Sequence, residues 1–190
     1  YIISNDDSRV AKYELSADFF IKSILFGTVA VCVFIKWIFP YFVGPEYSQA
    51  YYLIPITIMG VSFNTISDFF GTFFMMEKKT HYILYTTLIA AAVNCLCCYR
   101  AIDYFGIDGA LYVLSGAFLI LMLIRMCVVS SKFGMKINLT GLLCMAYIPV
   151  IFVCYSIDSV IFDSCAIIAI MFCYILSIRK YLQIFFKTKK

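Results

Sequence analysis

The amino-acid sequence predicts an all-α membrane protein with six transmembrane helices, and three observations carry that reading. The first is composition: 64% of residues are hydrophobic and only 14% are charged, with a mean hydropathy of +0.95. A soluble domain is roughly 45–50% apolar and about 25% charged. So few polar groups cannot cover a soluble globule, and the excess apolar surface needs lipid as its solvent. The second is that apolar residues gather into runs long enough to cross a bilayer. The third is that basic residues alternate from side to side between those runs.

A spanning helix needs ~20 mostly apolar residues. The runs Phe19–Phe39, Ala50–Met75, Tyr82–Tyr99, Ile107–Val129, Leu139–Tyr155 and Val160–Ile178 satisfy this. Their length and lack of strict alternation exclude a transmembrane β-barrel, whose strands are short and alternate. The second run is long enough to tilt, and the fifth is short and carries Pro149. The connections are brief. Residues 40–48, with Pro40, Gly44 and Pro45, join the first two runs, and Glu77 to His81 join the next two. Residues 101–106 lead into the fourth run, 130–138 into the fifth and 156–159 into the sixth. The expected organisation is a cytoplasmic linker over residues 1–18, one transmembrane domain over 19–178 and a basic cytoplasmic tail over 179–190.

Orientation follows from the Lys/Arg content of short loops. Arg9, Lys12, Lys22, Lys78, Lys79, Arg125, Lys132, Lys136, Arg179, Lys180, Lys187, Lys189 and Lys190 collect on one side, and only Lys36 and Arg100 on the other. The basic side is expected to be cytoplasmic, with both termini there. The net charge of +4 then reflects topology anchors and nonspecific contact with anionic headgroups, not a nucleic-acid footprint.

The nine cysteines all fall within apolar runs and read as small soft hydrophobes. The Cys95-Leu96-Cys97-Cys98 stretch has no histidine or second cysteine pair at ligand spacing, and His81 lies in a basic loop, so no metal site is expected. No catalytic constellation and no phosphate-cradling glycine loop is present, so an enzyme or ATPase is not expected.

Polar residues at bilayer depth are candidates for function because each charge there costs ~2.5–3.5 kcal/mol on insertion scales. In the second run, Thr57, Gly60, Asn64, Ser67, Asp68 and Gly71 recur at three- and four-residue spacing and form one polar, small-residue stripe. Such a stripe faces either a water-filled cavity or a partner helix. Asp68 repels phosphate, so it is expected to pair with a Lys or Arg or to hold a coupling cation. Lys22 and Lys36 flank the first run, and Arg125 lies just inside the end of the fourth. All three can snorkel to headgroups, although Arg also suits phosphate binding. Gly106 and Gly109 permit a tight turn into the fourth run, and Gly109 with Gly116 offers a face for close helix packing. Trp37 and the tyrosines suit interface belts, with stacking on sugars as the alternative.

Two stretches go further. Phe42-Val43-Gly44-Pro45-Glu46-Tyr47-Ser48-Gln49-Ala50 follows the first run. Tyr104-Phe105-Gly106-Ile107-Asp108-Gly109-Ala110 precedes the fourth, with Ala92-Val93-Asn94 before it and Gly71 and a short Lys-Thr loop between. This order resembles the polysaccharide flippases of the Wzx type, in the multidrug/oligosaccharidyl-lipid/polysaccharide exporter superfamily; Phe105 departs from the pattern by standing between the Tyr and the Gly. The resemblance covers residues 19 to 132 and more loosely the rest. It implies two six-helix lobes around a central cavity, of which this chain would be the C-terminal one, and a start at Tyr1 without Met fits an internal piece. It implies alternating-access transport of an undecaprenyl-linked oligosaccharide, an O-antigen or capsule repeat unit, across the bacterial inner membrane. The missing N-terminal lobe, and glycan assembly proteins, would be its partners, and no cofactor is implied. A drug/cation antiporter of the same superfamily, a glycan polymerase or ligase, and a scaffold subunit are the rival readings. The short outer loops count against the enzymes.

Overall fold

The computed structural model describes residues 6–44, 48–135 and 155. Among them every regular element is helical: α1 (Asp6–Phe42), α2 (Ser48–Met76) and α3 (His81–Phe133). All three are long and apolar enough to cross a membrane, over Tyr13–Phe39, Ala50–Met76 and His81–Phe133. The fifth and sixth apolar runs, Pro149, Tyr47 and the basic tail lie outside the described residues. The chain divides into two compact units, Tyr1–Ile38 with Met135–Lys190, and Phe39–Gly134.

Helix α1 begins within the stretch expected to be a cytoplasmic linker, residues 1–18, since the backbone is helical from Asp6. No Gly or Pro interrupts residues 6–26, so nothing local stops the helix from extending well beyond the apolar run. Its other end carries on through Pro40, and the Val43 amide closes the last turn on the Phe39 carbonyl at 3.0 Å.

Helix α2 buries one face built on alternating three- and four-residue steps: Ile56, Met59, Phe63, Ile66, Phe70 and Phe73. This spacing is the seam along which two helices interlock side chains. Pro55 sits inside α2, where it removes one backbone donor and leaves the Tyr51 carbonyl to find another. The helix closes with the Lys78 amide on the Met75 carbonyl (3.1 Å) and the Lys79 amide on the Phe74 carbonyl (2.8 Å). Lys78 adopts φ 58° there, the left-handed position that Gly usually fills at a helix end. Beside this turn an aromatic cluster ties the elements together. Phe133 packs edge-on against Phe73 at 4.9 Å, Phe74 lies 5.6 Å from Tyr82, and the Lys79 ammonium stands 4.5 Å over the Phe133 ring.

Helix α3 joins what the sequence reads as the third and fourth runs. The expected connection over residues 101–106 shrinks to a single non-helical residue, Gly106, at φ 61°, ψ −138°. The bend there is a reversal. Thr86 and Arg125 lie about 30 Å along the helix on either side of Gly106 at ~1.5 Å per residue, yet their side chains are 3.2 Å apart. The two halves of α3 are therefore antiparallel, and α2 packs along them. Gly109 has no positive φ; its role is space, because a Cβ there would overlap the Ala101 carbonyl across the bend. Gly116, expected on the same packing face, meets nothing within 4 Å. The close approach falls on its neighbour Ser115 instead: a Cβ on Gly60 of α2 would stand 2.6 Å from the Ser115 hydroxyl.

Candidate functional site

The polar stripe of α2 splits along its length. Gly60, Ser67 and Gly71 turn into the contact with α3, whereas Thr57 and Asp68 are exposed and Asn64 half-exposed. Both readings of the stripe thus apply, one to each edge. At the inner edge the Ser115 hydroxyl donates to the Ile56 carbonyl at 2.9 Å, and Gly71 makes room for a guanidinium, with its would-be Cβ 3.1 Å from Arg125 Nη1.

That guanidinium is the centre of the site. The Arg125 side chain is only 4% exposed, so it does not snorkel to the headgroups. It turns inward and binds three helical segments. Nη1 donates to the Ser67 carbonyl at 2.9 Å and to Asp68 Oδ1 at 3.2 Å on α2. Nε donates to Thr86 Oγ1 at 3.2 Å and Nη2 to Thr87 Oγ1 at 3.1 Å, both on the first half of α3. Thr86 is buried, and its hydroxyl passes the interaction on by donating to the Tyr82 carbonyl at 2.8 Å. Arg125 itself sits on the second half of α3. A guanidinium suits this position because its donors form a fixed planar fork that can reach several acceptors at once.

The pair with Asp68 is lopsided. Asp68 is 63% exposed, and its other oxygen accepts the Asn64 amide at 3.3 Å. Among the described residues, Arg125 would keep three neutral acceptors without Asp68, and Asp68 would keep only Asn64 without Arg125. The single contact at 3.2 Å is also longer than the ~2.7–2.9 Å of a strong charge-assisted bond. Asp68 is therefore the exchangeable member, and Arg125 the fixed one.

The depth of this centre follows from the chain. Asp68 lies nine residues before Glu77, Thr86 six after Thr80, and Arg125 nine before Gly134. At ~1.5 Å per residue the cluster sits about 9–14 Å in from the helix ends, a depth that would fall inside the hydrocarbon layer, about 30 Å thick, of a membrane crossed by these helices.

The other candidates are placed apart from it. Lys22 pairs with Asp18 one turn earlier on α1. Lys36 is buried rather than reaching outward. Asn94 holds its Oδ1 buried with no hydrogen-bond partner among the described residues, as does Ser67 its hydroxyl. Gly44 follows the end of α1, and Gly106 and Gly109 shape the reversal of α3. Sequence reasoning missed Thr86 and Thr87, whereas Ser115 belongs to the small-residue face around Gly109 expected to allow close helix approach. The signal for the first two was present: two adjacent threonines in a run otherwise apolar from Ile83 to Val93, apart from Tyr85, need partners at that depth.

Fold and site together define a helical, membrane-compatible protein with a charged polar centre between its helices. No protein-family model matches the chain, and no curated protein or solved structure matches it either.

Proposed function

We propose that the chain is part of a membrane transporter of the flippase type, moving a lipid-linked oligosaccharide across a bacterial inner membrane by alternating access. In this reading it forms the C-terminal, six-helix lobe, with both termini cytoplasmic, and faces a second lobe across a cavity. The observation that carries the proposal is the Arg125–Asp68 pair, with Asp68 exposed at membrane depth. Charges inside a bilayer are expensive and are kept where ions or polar cargo pass, and a helix interface near the midplane is the usual place for a carrier's path. The order of the two loop motifs, around Gly44 and around Gly106, supports the same reading.

A second reading rests on one specific feature: the member of the pair that meets the outside is the carboxylate, not the guanidinium. That favours a cationic cargo or coupling ion, as in a drug/cation antiporter.

The test is complementation. A strain lacking the flippase is supplied with the full-length protein carrying Arg125→Ala, Asn64→Ala or Asp68→Asn, and surface glycan is measured at matched protein abundance. Loss of glycan is expected for Arg125→Ala. Normal glycan in all three variants would reject the flippase reading, and a gain of cation resistance by the parent that Asp68→Asn removes would establish the antiporter.

A further inference from the structure

We infer that the exposed stripe of α2 is wetted: it forms one wall of a water-filled path through the membrane, while the exposed face of the first half of α3 meets lipid. The inference deepens the transport reading and rests on it for the purpose of the path.

The argument is a comparison of two exposed faces. On α2 the outward positions recur as Thr57, Val61, Asn64, Asp68, Thr72 and Met75, at steps of three and four residues. Such steps keep them on one narrow side of the helix through most of its span. Four of the six are polar, and one is a carboxylate 63% exposed. Three large aromatic side chains of the same helix, Phe63, Phe70 and Phe74, are turned inward and fully buried, and the exposed aromatic Tyr52 lies near the helix start, before the stripe begins. A helix facing lipid would show the opposite arrangement, since lipid rewards apolar side chains on the outside. The first half of α3 has that lipid-suited pattern: Leu84, Tyr85, Leu88, Ile89 and Leu96 are all exposed.

Lipid is a poor neighbour for the middle of the α2 stripe. The hydroxyls of Thr57, Thr65 and Thr72 are satisfied by carbonyls of their own helix, so they alone would tolerate hydrocarbon. Asp68 would not. Its partner Arg125 approaches one oxygen from the buried side, and among the described residues the exposed remainder has only the Asn64 amide. At about 8 Å from the midpoint of a 27-residue span, it lies too deep to reach the headgroups with a two-carbon side chain. Water, as the solvent of an exposed carboxylate, removes the difficulty.

The test is thiol chemistry on the full chain in native membranes. A thiol reacts as its thiolate, which forms in water and hardly at all in hydrocarbon. Thr57→Cys, Val61→Cys and Thr72→Cys are treated with a membrane-impermeant thiosulfonate, and Leu84→Cys and Leu88→Cys serve as the comparison. Native Cys95, exposed on α3, is an internal lipid-face control. The expected result is modification of the α2 positions at least ~10-fold faster than the α3 positions. Equal protection of both sets overturns the inference, whether lipid, another part of the chain or a second copy covers the stripe. A parallel pair needs no cysteine: Val61→Asp is expected to keep its membrane abundance, and Leu88→Asp to lose most of it. Equal loss in both also overturns the inference. Rapid labelling of the stripe upholds it even where the complementation test rejects the flippase, so the two readings fail separately.

Discussion

Arg125 and Asp68 carry unequal weight, and the inequality is measurable. Removing the guanidinium strands the Ser67 carbonyl contact, the Thr86 and Thr87 hydroxyl contacts and an acid at membrane depth at once. Leaving a buried hydrogen-bonding group without its partner costs about 1–3 kcal/mol each, so Arg125→Ala is expected to lower the unfolding free energy by about 3 kcal/mol in mixed-micelle denaturation. Asp68→Asn removes one exposed charge and leaves Arg125 with neutral acceptors, so its cost should stay under about 1 kcal/mol. If the two variants lost stability equally, Asp68 would not be the exchangeable partner. Glycines on α2 can be ranked the same way. A Cβ at Gly60 meets the Ser115 backbone at 3.1 Å as well as its hydroxyl, whereas one at Gly71 meets the end of a long side chain. Gly60→Ala should therefore destabilise by about 1–3 kcal/mol, and Gly71→Ala by less, with thermal unfolding in detergent giving the order.

At the scale of elements, two turns set the geometry, and they differ in how well their residues suit them. Gly106 combines φ 61° with ψ −138°, a region open essentially to glycine alone and costing other residues about 1–3 kcal/mol. Gly106→Ala should loosen the reversal of α3, seen as faster proteolysis near the bend and a lower unfolding midpoint. The turn between α2 and α3 is the reverse case: Lys78 holds φ 58° with a side chain that disfavours it. Lys78→Gly is expected to raise stability by up to about 1 kcal/mol, and a loss instead would assign the lysine ammonium a role that outweighs its backbone strain. The sequence places both turns, with Gly106 just before the fourth apolar run and Glu77 to His81 between the second and third, but it does not show that Lys78 takes the left-handed conformation, because lysine is not a residue one expects there. It also places a loop over residues 101–106 where the helix continues to Phe105. Propensity and apolar length stay helical up to the bend, and only the tertiary reversal shows that one glycine suffices.

For the whole molecule, the antiparallel halves of α3 make a topological statement. The Lys78–Lys79 turn and the Gly106 bend lie at opposite ends of the same helical hairpin, so they should emerge on opposite faces of a membrane. The proposed orientation puts the basic turn in the cytoplasm; it predicts that Asp103→Cys is labelled by an impermeant thiol reagent in intact cells and Lys78→Cys only after lysis. Labelling of both from the same side would remove the hairpin from the membrane. This arrangement also explains why Thr86, Asp68 and Arg125, far apart in sequence, share one depth: each lies a similar distance from the basic end of its helix.

Composition and run length by themselves determined that the chain is helical and suited to lipid, because hydrophobic burial scales with apolar content and needs no knowledge of neighbours. They also located Gly106 and the polar spacing of α2. Only the tertiary structure decided which edge of that stripe meets α3, that Arg125 turns inward rather than toward headgroups, and that Thr86, Thr87 and Ser115 complete the contact. The reason is geometric. Helical periodicity places residues on a face, but whether a face meets a neighbour or stays exposed depends on where the chain reverses. Here a single glycine sets that reversal.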